Sequence, residues 1–309
     1  MDITGDNPTG NDYQAALARG LLPIREVARQ TGVNPVTLRA WERRYGLIVP
    51  LRTSKGHRLY TREEVARIHL ILTWLDRGVA VGQVKGLLKD QDAPASLDTS
   101  SGSPWEEQRR NLLEAIGNLA ERQLDECFNA AMALYPPQTL YRQLLQPLLQ
   151  DLEQRWRNQF GGQVERVFLY SWLRTKLGTR LYHNNRQYSA APILLVNASD
   201  LPMEPGLWLT AWLVSSADCA VEVFDWPVPA AELTLAMAQI QPRALLFYSS
   251  QPLAAGQLPR LLDGHPCPCL LGGPAAAIHQ AELAPGATLA EGPLDALQAL
   301  ANLGLLLNR

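Results

Sequence analysis

Residues 21–60 read LLPIREVARQTGVNPVTLRAWERRYGLIVPLRTSKGHRLY, and this stretch decides the fold of the first part of the chain. Ile24, Val27 and Ala28 recur at i, i+3 and i+4 as one apolar helix stripe, with Pro23 in the first turn, where its missing N–H is no loss. Thr31-Gly32 ends that helix, because glycine accepts the left-handed conformation cheaply. Asn34 then caps a second helix with Pro35 at its first position, and Val36, Leu38 and Trp41 turn inward. Two short helices on so short a turn meet at a steep, fixed angle, the geometry that presents the second helix to a DNA major groove. Its outward positions are Thr37, Arg39, Ala40, Glu42, Arg43 and Arg44, with Tyr45 at the end. Arginine forks two donors onto guanine or a phosphate, and hydroxyls reach either phosphate or base edges. Beyond Pro50, Lys55-Gly56 turns a small hairpin that exposes Arg52, Lys55, His57 and Arg58 beside Tyr60, which suits a sugar-phosphate backbone. The plainer reading of the same residues is a solvated basic face on an ordinary three-helix module.

The patterns I-x-E-V-A-x-x-x-G-V, T-L-R-x-W-E-R-R-Y-G-L and R-x-x-x-G-x-R-x-Y stand almost entire in this stretch. Residues 22–89 therefore resemble the DNA-binding domain of the MerR family of bacterial transcription regulators. The resemblance implies an all-α winged helix-turn-helix that binds two-fold symmetric promoter DNA as a dimer and distorts the duplex between half-sites. It also implies that Thr37, Arg39 and Arg43 sit in or beside the major groove, and the outward Arg44 is a DNA-binding candidate beside them. By the same resemblance Tyr45, Arg58 and Tyr60 would hold phosphates; Lys55 and His57, exposed on the basic hairpin, are DNA-binding candidates on their own chemistry.

Charge is divided along the chain. Residues 21–90 hold 13 of the 28 Lys+Arg but only 6 of the 30 Asp+Glu, so this segment is near +7 and the remainder near −9. The basic part is the part with the helix-turn-helix. No apolar run approaches the ~20 residues of a membrane span, and residues 1–20 are polar and rich in Gly, Asn and Asp, without a signal-peptide pattern. A disordered tail over 1–20 and a cytoplasmic protein are expected. Cys127, Cys219, Cys267 and Cys269 make no paired zinc frame; Cys267-Pro268-Cys269 alone leaves a tetrahedral site half empty, so burial is expected over metal binding.

Thr61-Arg-Glu-Glu64 is a capping-box pattern that opens a helix through Ile68, Ile71 and Leu75, and a short helix follows Gly78. Residues 91–104, rich in Ser, Asp, Gly and Pro, read as a linker through which no long dimer helix can run. Residues 105–187 show four apolar stripes at helical spacing, as in a small four-helix bundle. From residue 190 to 309 the period changes. Pro192–Asn197, Ala220–Phe224, Ala244–Tyr248 and Pro268–Gly272 are short strand-like runs that alternate with amphipathic stretches, the pattern of an α/β Rossmann-like (flavodoxin-like) parallel sheet. A ligand is expected at the carboxyl ends of such strands, where the loops after Asn197, Ser249-Ser250 and Gly272-Gly273 share an edge.

With Leu145-Gln-Pro-Leu148 before Trp156, and Cys269-Leu-Leu-Gly-Gly-Pro274 near the end, residues 105–300 resemble the cobalamin-binding module. Behind a MerR-type head, the whole chain resembles the CarH/LitR and MlrA-like branch of that family. The cofactor loop departs from the family's D-x-H-x-x-G: Asp200-Leu-Pro202-Met-Glu-Pro-Gly206 has proline where histidine would ligate cobalt, and proline offers no side-chain donor. In the bundle the family's Trp, followed ten and eleven residues later by Glu-His, becomes Trp156 followed by Arg166 and Val167. No bound cofactor and no metal are expected, with altered cobalamin binding, through His183, His265 or His279, as the alternative. The expected function is a sequence-specific DNA-binding transcription regulator. Its C-terminal half would form homodimers or higher homo-oligomers and receive a signal from an unidentified small effector or a partner protein. An enzyme is the rival class; it lacks a G-x-S-x-G, a P-loop or a G-x-G-x-x-G after a strand, and Asp200 and Glu204 are its only close acidic pair.

Overall fold

The computed structural model describes residues 16–88, 103–254, 256–262, 264–280 and 288–306. Most of the expected tail (1–20) and linker (91–104) lies outside these residues. Packing divides the chain into two compact units, between Glu165 and Arg166.

The first unit opens with β1 (Leu22–Pro23), α1 (Ile24–Thr31) and α2 (Pro35–Ala40), which continues through one π-helical turn, Trp41–Tyr45. β2 (Leu51–Arg52) and β3 (Arg58–Tyr60) form a hairpin, and α3 (Arg62–Asp76) and α4 (Val81–Leu87) follow. Pro23 corrects the sequence reading. It pairs with Leu59 as part of a three-stranded antiparallel sheet, order β1-β3-β2, and caps α1 in an extended conformation, so the helix begins at Ile24 and the head is not all-α. Thr61 caps α3 by accepting from the Glu64 N–H, as its T-x-x-E pattern requires. Val27, Leu38, Trp41, Ile68, Ile71 and Leu75 are fully buried and form the core under these helices.

Ser103 and Glu106 make a reciprocal capping box that starts α5 (Pro104–Gly117). It is followed by α6 (Glu121–Leu134), by α7 (Pro137–Leu140), which runs through a second π turn into α8 (Gln146–Asn158), and by α9 (Gly162–Asn185). α5 packs on α6 and α8. The four expected apolar stripes are thus helices, and the boundary between the two units falls inside α9, after Glu165.

The second unit carries β4 (Ile193–Asn197), α10 (Pro205–Ser215), β5 (Val221–Phe224), α11 (Ala230–Ile240), β6 (Ala244–Tyr248), α12 (Gln257–Leu262), β7 (Cys269–Gly272), α13 (Ala275–Ile278), β8 (Thr288–Ala290) and α14 (Pro293–Asn302). All five strands are parallel, in the order β5-β4-β6-β7-β8, the doubly wound order 2-1-3-4-5. β4 and β6 are buried on both faces, as parallel strands must be. On one face Leu194, Val196, Leu245 and Phe247 meet Leu233 and Met237 of α11 and Leu258 and Leu261 of α12. α10, buried from Leu207 to Ser215, packs on β4, β5 and α14. The Trp208 ring lies beside Gly178 of α9, 3.5 Å from where a Cβ would stand, an ordinary van der Waals distance. β8 is a fifth strand that the sequence reading lacked.

Candidate nucleic-acid interface

The groove-reading candidate, α2, is started by Asn34, whose Oδ1 accepts the Thr37 N–H at 2.9 Å, with Pro35 at the first helical position. Gly46, at φ +56°, ends its π turn, where the Gly46 N–H returns to the Glu42 carbonyl. A π turn widens the helix by one residue, a distortion common at functional sites. It leaves Arg39, Arg43 and Arg44 exposed together. Leu38 and Trp41 face the core as expected.

Thr37 and Val36 exchange the places expected of them. Thr37 is fully buried, its Oγ1 without a hydrogen-bond partner among the described residues, whereas Val36 is 58% exposed. Thr37 and Trp41 stand at i and i+4 on one helix face, and α2 packs against α6. Thr37 is therefore turned into the packing, and the exposed side of the helix carries Arg39, Arg43 and Arg44.

Glu42, which the sequence reading left as a solvated outward position, ties the helix to the hairpin. Its Oε1 accepts from Arg52 Nη2 at 2.6 Å and its Oε2 from Arg58 Nε. Burial by itself would raise this carboxyl's pKa; the hydrogen bonds from Arg58 and then Arg52 outweigh it and hold the group below its ordinary value. Because the folded-state pKa is depressed, the tie is complete above the ordinary glutamate value, about 4.3, and is lost as pH falls through the lower folded value. A carboxyl-carbon NMR titration of Glu42 is expected to show a midpoint below the ordinary value, with hairpin amides shifting in step. A midpoint at or above it would contradict the tie.

Lys55 and His57 are exposed at the hairpin tip, where Gly56 sits at φ +80° and its N–H donates to the Thr53 carbonyl. Arg58 is only 18% exposed and engaged with Glu42, so it holds the hairpin in place as much as it can meet a phosphate. Tyr60 departs from its expected phosphate role. It is fully buried on β3, the central strand of the small sheet, and its hydroxyl has no hydrogen-bond partner among the described residues. Burial, reinforced by Glu42, pushes that hydroxyl up to about 12. Tyr45 is half-buried against α4, its ring 3.6 Å from where a Cβ on Gly82 would lie.

The carboxyl edge of the large sheet is the other candidate site. Asp200 and Pro202 are exposed on the loop after β4, with Gly206 in the first turn of α10. The Tyr248 side chain, at the end of β6, fills the space between that turn and the loop after β7. A Cβ on Gly206 would lie 1.8 Å from the Tyr248 hydroxyl, one on Gly272 3.1 Å from its ring and one on Gly273 3.0 Å from it. Glu204, 1% exposed, accepts from Ser250 N at 2.8 Å and Ser250 Oγ at 2.9 Å, which joins the loops after β4 and β6. His279 Nε2 accepts the Leu253 N–H, His265 Nε2 lies 2.9 Å from the Leu261 carbonyl, and His183 is exposed. The cysteines are free, and burial raises all four thiols. Among the described residues no three His, Cys, Asp or Glu side chains gather as a metal-ligand set.

One carboxylate escaped the fixed-spacing reading of the helices. Glu165, nine residues after Trp156, accepts the Trp156 indole N–H at 3.0 Å and an Arg155 N–H at 2.6 Å. The turn that makes this possible holds Gly161 at φ +86° and packs Gly162 so tightly that a Cβ would stand 2.9 Å from the Trp156 Cα.

Residues 22–91 match the family described as MerR HTH family regulatory protein, and residues 108–180 match the B12 binding domain. The HTH-type transcriptional regulator MlrA of Escherichia coli (strain K12) is 42% identical over 135 residues, 43% of this chain and 52% of that protein. The HTH-type transcriptional repressor CarH of Myxococcus xanthus is 26% identical over 277 residues, 84% of this chain and 90% of that protein. The mercuric resistance operon regulatory protein of Bacillus cereus is 41% identical over 66 residues, 21% of this chain and 49% of that protein. The chain thus spans about half the length of the MlrA protein it matches.

Proposed function

We propose, for a chain that joins a MerR-type helix-turn-helix segment to a B12-binding-type helical segment, that it regulates transcription by binding specific promoter sequences and catalyses no reaction. The observation that carries this reading is the exposed triplet Arg39, Arg43 and Arg44 on a capped helix whose opposite side is buried. The hairpin serves as the wing: Lys55 and His57 lie along the backbone while Glu42 fixes its angle to the reading helix. Phosphate contacts of this kind position the protein, and the arginines read base edges. The working division is a head over 21–90, a linker over 91–104, a helical segment over 105–187 and a Rossmann-like segment over 190–309. The C-terminal segments receive the signal and hold copies together.

Cobalamin in its standard mode does not fit the residues present. Pro202 offers no ligand for cobalt, and Tyr248 and the Glu204–Ser250 bridge occupy the crevice at the sheet's carboxyl edge, where a ligand of this fold would lie. The second reading, a cobalamin-dependent regulator with an altered ligand, draws on the B12-binding match and on the buried Trp156–Glu165 pair. Retention of genomic fragments by the purified chain tests the main reading. A discrete promoter set is expected to be enriched, with affinity falling steeply as salt rises because bound arginines and lysines release counterions. Uniform retention of every fragment would reduce the function to nonspecific binding.

A further inference from the structure

The DNA-reading head is gripped from outside its own segment. Trp41, on the reading helix, donates its indole N–H to the Leu134 carbonyl at the end of α6, at 2.8 Å. Trp105, on α5, donates its indole N–H to the Gly78 carbonyl in the turn between α3 and α4, also at 2.8 Å. The Trp105 and Tyr135 rings lie 4.3 Å apart, and the Tyr135 hydroxyl accepts the Val81 N–H at 3.4 Å. Asp76, at the end of α3, receives Thr139 Oγ1 at 3.2 Å and Arg142 Nη1 at 3.4 Å on its carboxylate, and Gln143 Nε2 at 3.0 Å on its carbonyl. Trp41, Trp105 and Tyr135 are all at least nine-tenths buried.

The chemistry of these contacts makes them directional. An indole N–H can only donate, and when buried it must find an acceptor. Leu134 is the last residue of α6, where the chain turns extended at Tyr135 before Pro136 and Pro137, so its carbonyl has no acceptor role left in its own helix. Apolar packing tolerates sliding, whereas an indole matched to one orphan carbonyl at each of two separated points admits a single docking angle.

We propose that Trp105 and Tyr135 are positioning residues for the DNA interface: the α6–α7 elbow and the start of α5 set the angle at which Arg39 and Arg43 are presented. This rests on the DNA-binding reading above. It makes the helical segment a part of the reading device, and a movement of the elbow moves the reading helix.

The test uses the full chain with Trp105→Phe, which keeps an aromatic ring beside Tyr135 while removing the N–H donor together with part of the indole. Affinity for an enriched fragment is expected to fall about fivefold, in line with the loss of one hydrogen bond, with nonspecific affinity and salt slope unchanged. In an Arg39→Ala background the same change is expected to cost almost nothing, since a misplaced arginine and a missing one are equivalent. A loss of the same size in both backgrounds would mean that Trp105 only stabilises the fold, and would overturn the proposal. A second measurement is independent of DNA. Amide hydrogen exchange over residues 35–45 in the free Trp105→Phe chain is expected to quicken about fivefold beyond any change across residues 193–248. Unchanged exchange there overturns the positioning role whether or not the chain binds promoters, and quickened exchange without promoter binding would count against the function alone.

Discussion

Replacing Arg39 by alanine is expected to weaken binding to a specific site by about 1–3 kcal/mol, roughly 5- to 150-fold, while nonspecific duplex binding changes far less. Arg39 is exposed on α2, one turn beyond the Asn34 cap, on the side away from Thr37 and Trp41. A forked guanidinium that satisfies two acceptors on one base loses both bonds on truncation and leaves the base edge unpaired. The informative control is Lys55→Ala at the hairpin tip, which is expected to weaken specific and nonspecific binding alike, because a phosphate contact carries no sequence information. Arg58 makes a poor control: its guanidinium holds Glu42, so removing it leaves that carboxylate with only Arg52 and unseats the hairpin. Binding titrations with specific and scrambled duplexes decide the matter. Equal losses for Arg39→Ala on both duplexes would move base readout away from α2.

Gly206→Ala is expected to destabilise the second unit by about 1–3 kcal/mol, the usual cost of forcing extra volume into a packed site. That corresponds to a drop of roughly 4–10 °C in its unfolding midpoint. The new Cβ would fall 1.8 Å from the Tyr248 hydroxyl and 2.3 Å from the adjoining ring carbon. The ring has little room to shift, because Gly272 and Gly273 also lie close against it. Tyr248→Ala alone is expected to be costly too, since it empties a buried site. Together the two changes are expected to cost less than their sum, because removing the ring removes the clash. Thermal unfolding of the four proteins measures this coupling, and an unchanged midpoint for Gly206→Ala would show that the crevice is open. On the same account, wild-type protein incubated with excess cobalamin and desalted stays colourless. A protein fraction that keeps the red colour would favour the altered-ligand reading.

What could be read from the chain depended on how local the physics was. The Asn34 cap, the Thr61 cap, the turn at Gly56 and the four longer strands each rest on neighbouring residues, and each formed where those residues allow. Thr37 was misread because its fate depends on α6, a helix more than eighty residues away that covers the Thr37–Trp41 face. Tyr60 was misread for the same reason: a tyrosine among basic residues looks like a phosphate ligand until β1 pairs beside β3 and encloses it. Glu42 carried no signal at all, since its partners lie ten and sixteen residues on. β8 is three residues long, too short for an alternating pattern to register. Glu165 stands nine residues after Trp156 rather than ten, and the turn at Gly161-Gly162 between them brings its carboxylate to the indole, a contact that sequence spacing does not show. In the sequence Tyr248 only ends a strand-like run; that it fills the crevice shows only once Gly206 and Gly273 are brought beside it.

The central claim is that exposed arginines on α2 read particular sequences. Its most direct measurement is the ratio of equilibrium affinities, at fixed salt of about 0.15 M, for an enriched genomic fragment and for the same base pairs in scrambled order. The account predicts a ratio on the order of 10³ or more, falling toward one in Arg39→Ala/Arg43→Ala. A ratio near one for the folded wild-type protein would contradict it.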